Sequence, residues 1–233
     1  MKKVGILIFA TALVIGIVVA NIFSFGRTST RMFNFTMSFG GVRGSGNVVT
    51  DKRTASNFKS VEVGGVFQVE ITAGKEFGVE VEADDNLLPL ISTDVSDGVL
   101  RISTDRKVSS RGPIRVRVYA PDIEKLEVSG VANVTVNDIK SKEFNLDSSG
   151  ASKIKLTGET ANFVADVSGA TKIDAENLNT VDANIDCSGA SSVMVNVSGD
   201  LKAEASGASK ITYTGTPTSI DQSSHGSSRI SQK

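Results

Sequence analysis

Apolar and polar residues alternate along most of the chain beyond residue 48, and in the second half the alternation itself repeats. Six glycines, Gly130, Gly150, Gly169, Gly189, Gly207 and Gly226, each open a phrase of the type Gly-Ala-Ser-Lys-Ile, spaced 20, 19, 20, 18 and 19 residues apart. Four positions after the glycine stand Val134, Ile154, Ile173, Val193, Ile211 and Ile230. Four before it stand Leu126, Leu146, Ala165, Ile185 and Ala203, and two before it Val128, Ser148, Val167, Cys187 and Ala205. Apolar residues on even offsets have period two, which is strand and not helix. A fixed period of this length marks a stacked-repeat architecture. The pattern predicts an all-β, single-chain parallel β-solenoid with coils of about 19 residues, each tracing a perimeter of roughly 60 Å and stacking about 4.8 Å from the next. The usual crossover preference makes it right-handed. Each coil turns at a Ser-Gly-Ala corner, where glycine allows the sharp bend and small neighbours allow tight stacking.

Between Val48 and Asp122 the same alternation is present but irregular. Val61 and Val63, then Phe67, Val69 and Ile71, then Val79 and Val81, then Leu100 and Ile102, then Ile114, Val116 and Val118 read as strands. Asp85 to Ile91 reads as a short helical or irregular bridge, and Asp97-Gly98 as a turn. No linker separates this half from the repeats. The expected organisation is an anchor or signal segment over 1–26, a linker over 27–47, and a solenoid over 48–233, irregular to 122 and regular from 123.

The N-terminal expectation rests on charge. Lys2 and Lys3 precede 23 residues, Val4 to Gly26, without a charged side chain, and Arg27 and Arg31 follow. As a helix that run matches a bilayer hydrocarbon core of about 30 Å. It is longer than the ~7–15 residues of a signal-peptide apolar region, which favours an uncleaved transmembrane helix over cleavage at Val18-Val19-Ala20. Either reading exports the remainder, giving a cell-envelope protein with its C-terminal domain outside the cytoplasm, membrane-held or secreted. The linker carries an apolar set, Met32, Phe33, Phe35, Met37 and Phe39.

Composition narrows the chemistry. Aromatics are 6% and Trp is absent, which suits a thin solenoid interior better than a thick globular core. Net charge is −1 with no basic, aromatic-laced stripe, so nucleic acid is not an expected partner. Cys187 is the only cysteine and falls on an inward offset. His225 is the only histidine, which leaves no metal-His cluster or Ser-His-Asp set to assemble. No cofactor, metal or catalytic residue is expected.

One constellation exceeds packing. Three positions before the glycines stand Glu127, Asp147, Asp166, Asp186 and Glu204, an odd and therefore outward offset that predicts an acidic ladder. Three positions after them stand Lys153, Lys172, Lys210 and Arg229. Solvated outer faces that keep a solenoid soluble explain such rows, but stacked like charges repel, which leaves room for a weak cation site or a strip that meets basic or glycan ligands. A flat row offers too few oxygens for calcium.

The order Gly44-Ser45-Gly46-Asn47-Val48, Phe58-Lys59-Ser60-Val61, Asp85-Asn86-Leu87-Leu88 and Asp97-Gly98-Val99-Leu100-Arg101-Ile102, ending in repeated Ser-Gly-Ala-Ser, resembles the head GIN domain family of putative auto-transporter adhesins of bacteria. The resemblance covers about residues 44 to 231. It implies a β-solenoid on the bacterial envelope with no established enzymatic activity. The expected function is a non-catalytic binding, adhesion or scaffold module meeting a glycan or protein at the cell surface. The alternatives are a structural or regulatory module pairing with another membrane protein, and a polysaccharide-degrading enzyme that uses paired outer carboxylates.

Overall fold

The computed structural model describes residues 41–233. The expected transmembrane segment, 1–26, and the linker as far as residue 40 lie outside the described residues. Among those described, no helix is long and apolar enough to cross a membrane. They form an all-β solenoid, and the bridge expected after Asp85 is a single 3-10 turn, Leu88–Leu90.

In the repeats the inward offsets fill one continuous core. Ile154, Leu156, Ile173, Val193, Val195 and Ile211 are completely or almost completely buried, each worth about 1.5–3 kcal/mol of transfer free energy. One inward column escapes the three offsets read above. Six positions before the glycine, the rings of Phe144 and Phe163 stack with centroids 6.2 Å apart in the middle of the core.

Coils pair in parallel through Val131–Gly150, Lys153–Gly169 and Lys172–Cys187, then through the shorter strands Ser192–Val197, Asp200–Ala205, Lys210–Gly215, Ser219–Ser224 and Arg229–Gln232. The three longest strands run on through bends, so a coil has more than two walls and more than the one glycine corner expected. The unequal glycine spacing is absorbed away from that corner. Val136 faces Leu156, 20 residues on, whereas Ile139 faces Gly158, 19 on. The extra residue sits beside Asp138, which adopts φ 60°. Similar shifts fall between Lys155 and Thr157 and between Ala175 and Asn179. The second corner thus takes the insertions and the Ser-Gly corner keeps its register.

Sequence order and spatial order part company in the N-terminal half. Ser60–Val63 and Val66–Ala73 form a coil that pairs on one side with Lys125–Val128 and Val131–Gly150. On its other side lie Val99–Thr104 and Arg115–Ala120, which follow it in sequence. The chain therefore steps outward and returns across its own first coil at Pro121 to Glu124. Antiparallel strands cover this end: Ile91–Ser96 on Val99–Thr104, Gly78–Asp84 on Arg115–Ala120, and Val48–Arg53 outside Gly78–Asp84. Arg53 ties the outer strand to the rest, its guanidinium donating to the Leu88 carbonyl at 2.8 Å and to Thr93 Oγ1 at 3.1 Å. The outermost of these strands, Val48–Arg53, carries Asp51, Lys52 and Arg53, charged side chains of the kind that discourage a further strand from adding at a sheet edge.

Candidate functional site

The glycine corner organises the outer surface. The corner glycines sit directly over one another, and the column continues into the irregular half through Gly65, which lies against Gly130. Gly169, Gly189, Gly207 and Gly226 have φ between 73° and 85°, but Gly130 and Gly150 do not need positive φ. At Gly189 a Cβ would stand 2.6 Å from the Gly169 carbonyl oxygen. Close backbone approach, more than the turn alone, demands glycine here.

Inside the corner runs a row of hydroxyls. Ser152, Thr171, Ser191 and Ser209 are buried two positions after their glycines. Ser148, read from the sequence within an apolar column, is buried too and lies 3.1 Å from Ser152 Oγ and 3.0 Å from Thr171 Oγ1. Cys187 is fully buried with its sulfur 3.1 Å from Ser191 Oγ. Burial pushes this thiol up, and a thiol held protonated is neither a nucleophile nor a ligand.

Outside the corner the acidic ladder is continuous and in register. Glu127 pairs with Asp147, Asp147 with Asp166, Asp166 with Asp186, and Asp186 with Glu204. The row extends into the irregular half, where Glu62 pairs with Glu127 and Arg101 with Glu62. Adjacent like charges ~4.8 Å apart cost roughly 1 kcal/mol per pair at bulk dielectric. Cations placed two residues upstream offset this at both ends. Lys125 Nζ lies 2.6 Å from Glu127 and 2.9 Å from Asp147, and those carboxylates hold it above the ordinary lysine value. Lys202 pairs with Glu204 at 3.0 Å, and Arg101 with Glu62 at 2.9 Å. Asp166 and Asp186, in the middle, have no ion-pair partner within 4.0 Å among the described residues. Reading one column at a time hides the neutralising lysines, which belong to the next outward column of the same strands. Beside the ladder, Ser129, Ser149 and Ser168 complete a shallow depression of about 290 Å³.

The basic row is also in register: Asn133, Lys153, Lys172, Ser192, Lys210 and Arg229 face one another in turn. No ion pair crosses the corner among the described residues, so the two rows remain separate fields of opposite sign.

Two other features limit the chemistry. Among the described residues no three His, Cys, Asp or Glu side chains converge as metal ligands. His225 Nε2 lies 3.1 Å from Ser223 Oγ, but the exposed histidine falls just past the end of Ser219–Ser224, the strand that carries the half-buried Ser223. The acid on that strand, Asp221, lies two residues before Ser223, which stands between it and His225 along the chain. An acid there cannot orient the imidazole against Ser223.

The two N-terminal motifs turn out to be partners. Asp84 is buried against Gly44 and accepts hydrogen bonds from the Gly46 amide and Ser110 Oγ, both at 3.0 Å. Asp85 accepts from Ser45 Oγ and from Asn47 Nδ2 at 2.9 Å, and these bonds, with the Asn86 amide, hold its carboxyl below the usual aspartate value. The Gly-Ser-Gly-Asn and Asp-Asn-Leu-Leu signatures together lock the entering chain to the antiparallel end.

A family model described as putative auto-transporter adhesin, head GIN domain, matches residues 57–217. No curated protein matches the chain. Among solved structures, a putative adhesin from Bacteroides fragilis superposes with a TM-score of 0.68 at 20% identity, over 83% of this chain and all of that one. A putative adhesin from Parabacteroides merdae gives 0.55 at 20%, over 82% of this chain and 98% of the other. A putative lipid binding protein from Parabacteroides distasonis gives 0.50 at 18%, over 82% and 99%. At these identities the likeness is one of fold.

Proposed function

We propose, for a chain that belongs to the head GIN domain family, a non-catalytic binding module displayed outside the cytoplasm on the bacterial cell envelope, with adhesion as its role. The observation that carries this reading is the outer surface itself. Acidic and basic rows run in register along a closed core, and the middle of the acidic row is left without cations. A solenoid of this kind presents an extended, repetitive face to another surface and does not gather reactive groups at one point. Names given to solved structures of the same fold, adhesins among them, support the same reading. The apolar segment 4–26 supplies the membrane attachment in this proposal.

The test is made in the organism that carries the protein. Protease applied to intact cells should remove the solenoid, and deletion of the protein should reduce attachment of cells to surfaces or to one another. Replacing Asp166 and Asp186 together by Asn should reproduce part of that loss. Attachment unaltered by deletion, or a solenoid reached by protease only after lysis, would overturn the proposal.

A further inference from the structure

A second concave surface lies at another bend of the coil, away from the acidic row's own depression, and it is larger, at about 700 Å³. Three columns build it across successive coils. The first runs Lys140, Glu159, Asn179 and Asn196, each pairing with the next. The second is a floor of hydroxyl residues, Ser141, Thr160 and Thr180, in which the two threonines are buried and stay in register. The third rim is low, with the small side chains of Ala161 and Val181, and Val181 is 49% exposed. A trough with a hydroxyl floor, an amide wall and an aliphatic rim thus follows the solenoid axis.

The unpaired capacity of these side chains defines what fits. Thr160 and Thr180 donate their hydroxyl protons to the carbonyls of Asn162 and Leu178, and their oxygens keep acceptor lone pairs, one of which on Thr160 accepts from Ser141 Oγ at 3.3 Å. Asn196 Nδ2 donates to Asn179 Oδ1 at 3.1 Å. The Asn179 amide nitrogen and the Asn196 carbonyl oxygen keep donor and acceptor capacity, with no hydrogen bond to a described residue. Lys140 reaches Glu159 at 3.6 Å, whereas Lys142 has no ion-pair partner among the described residues. A peptide adding as a strand needs a free sheet edge, and here the backbone groups are engaged between coils, as in Ser198 N to Thr180 O at 3.1 Å and Gly199 N to Val181 O at 2.7 Å. The remaining hydrogen bonding belongs to side chains. Asn179 offers a donor, Asn196 and the threonines offer acceptors, and Lys142 adds a cation without an ion-pair partner among the described residues.

We infer that this corner groove binds an acidic oligosaccharide lengthwise, with ring hydroxyls against Asn179 and Asn196, a sugar face on Val181, and a carboxylate at Lys142. The inference rests on the reading of the protein as a surface-binding module and adds to its charged rows a second site with a ligand class of its own. Polar contacts to hydroxyls supply discrimination, because a site built for them leaves its groups unpaired when they are missing.

The experiment is calorimetric titration of the full-length protein with oligogalacturonate and with the matching neutral galactose oligomer. Oligogalacturonate should bind, the neutral oligomer at least tenfold more weakly, and added salt should weaken the acidic ligand most. Lys142→Ala should reduce the affinity several-fold, and Ala161→Trp, an exposed position whose new ring fills the trough, should abolish it. Asp166→Asn should change nothing. Equal binding of both oligomers, or binding indifferent to Lys142→Ala and Ala161→Trp, overturns the groove assignment. Should the deletion strain lose attachment while oligogalacturonate fails to bind, the ligand class is wrong and the adhesive reading stands. Attachment unaltered by deletion together with no difference between the two oligomers overturns both.

Discussion

Replacing Gly189 by Ala isolates what the corner column requires. Two costs are separable in this molecule because other glycines carry one or neither. Gly74 has φ 74° and nothing within 4 Å of an added Cβ, so Gly74→Ala meets only the left-handed backbone. That penalty is roughly 1–2 kcal/mol, partly offset by about 0.4–1 kcal/mol from stiffening the unfolded chain. Gly112 has neither constraint, and Gly112→Ala should be neutral or stabilise by up to about 1 kcal/mol. Gly189 has φ 77° and a prospective Cβ 2.6 Å from the Gly169 oxygen. Reaching ordinary contact at 3.4 Å requires local separation of the coils by about 0.8 Å, the difference of the two distances. The Ala190 N to Gly169 O and Ser188 N to Val167 O bonds, both 2.8 Å, would then stretch beyond hydrogen-bond range. Two lost bonds at about 0.5–1.5 kcal/mol each and the backbone term bring the expected destabilisation to roughly 2–4 kcal/mol. Urea unfolding followed by far-UV circular dichroism suits a chain without Trp. If Gly189→Ala shifts the midpoint no further than Gly74→Ala, close approach between coils is not what holds glycine at the corner.

Other consequences are more local. Thr171→Val keeps shape but strips the buried Ser148 and Ser152 of a shared partner, and should cost about 1–3 kcal/mol in the same assay, more than Thr212→Val at a half-buried position. Hydrogen bonding from Arg115 holds the Glu82 carboxyl below its ordinary value of 4.5. A depressed folded-state value means stability present above the unfolded value and lost as pH falls through the folded one. Arg115→Ala should therefore flatten the decline of the unfolding midpoint as pH is lowered below about 4.5, and an unaltered slope would count against the pair. Cys187 is fully buried with its thiol pushed up, so a thiol reagent should react with the native protein only at the rate of unfolding, and at once in denaturant.

The repeats show how far a linear pattern reaches. Even offsets around Gly150 and Gly169 placed Leu146, Ile154 and Ile173 in the core, because a strand's side chains alternate and a solenoid keeps successive coils in register. The same arithmetic placed Asp147, Asp166 and Asp186 in one outward row. It did not find Lys125 and Lys202 as their partners, since pairing across columns depends on side-chain reach within a wall. It treated Ser148 as a member of an apolar column, although its hydroxyl has two partners. The groove lined by Thr160 and Thr180 stayed hidden for a related reason: it lies at a second bend, beyond the register shift between Val136 and Ile139, and concavity comes from the bend and from no single column.

The sequence by itself determined the all-β solenoid, its period, its glycine corner and the sign of its outer rows, since all of these repeat locally every coil. Tertiary structure alone decided the spatial order of the first coils, in which Val99–Thr104 and Arg115–Ala120 lie outside strands that precede them. It also decided that antiparallel strands close that end and that Asp84 and Asp85 lock it to Gly44–Asn47. Strand pairing is non-local: any alternating segment can satisfy another, and only the competition among all of them for one core and one free edge selects the partners.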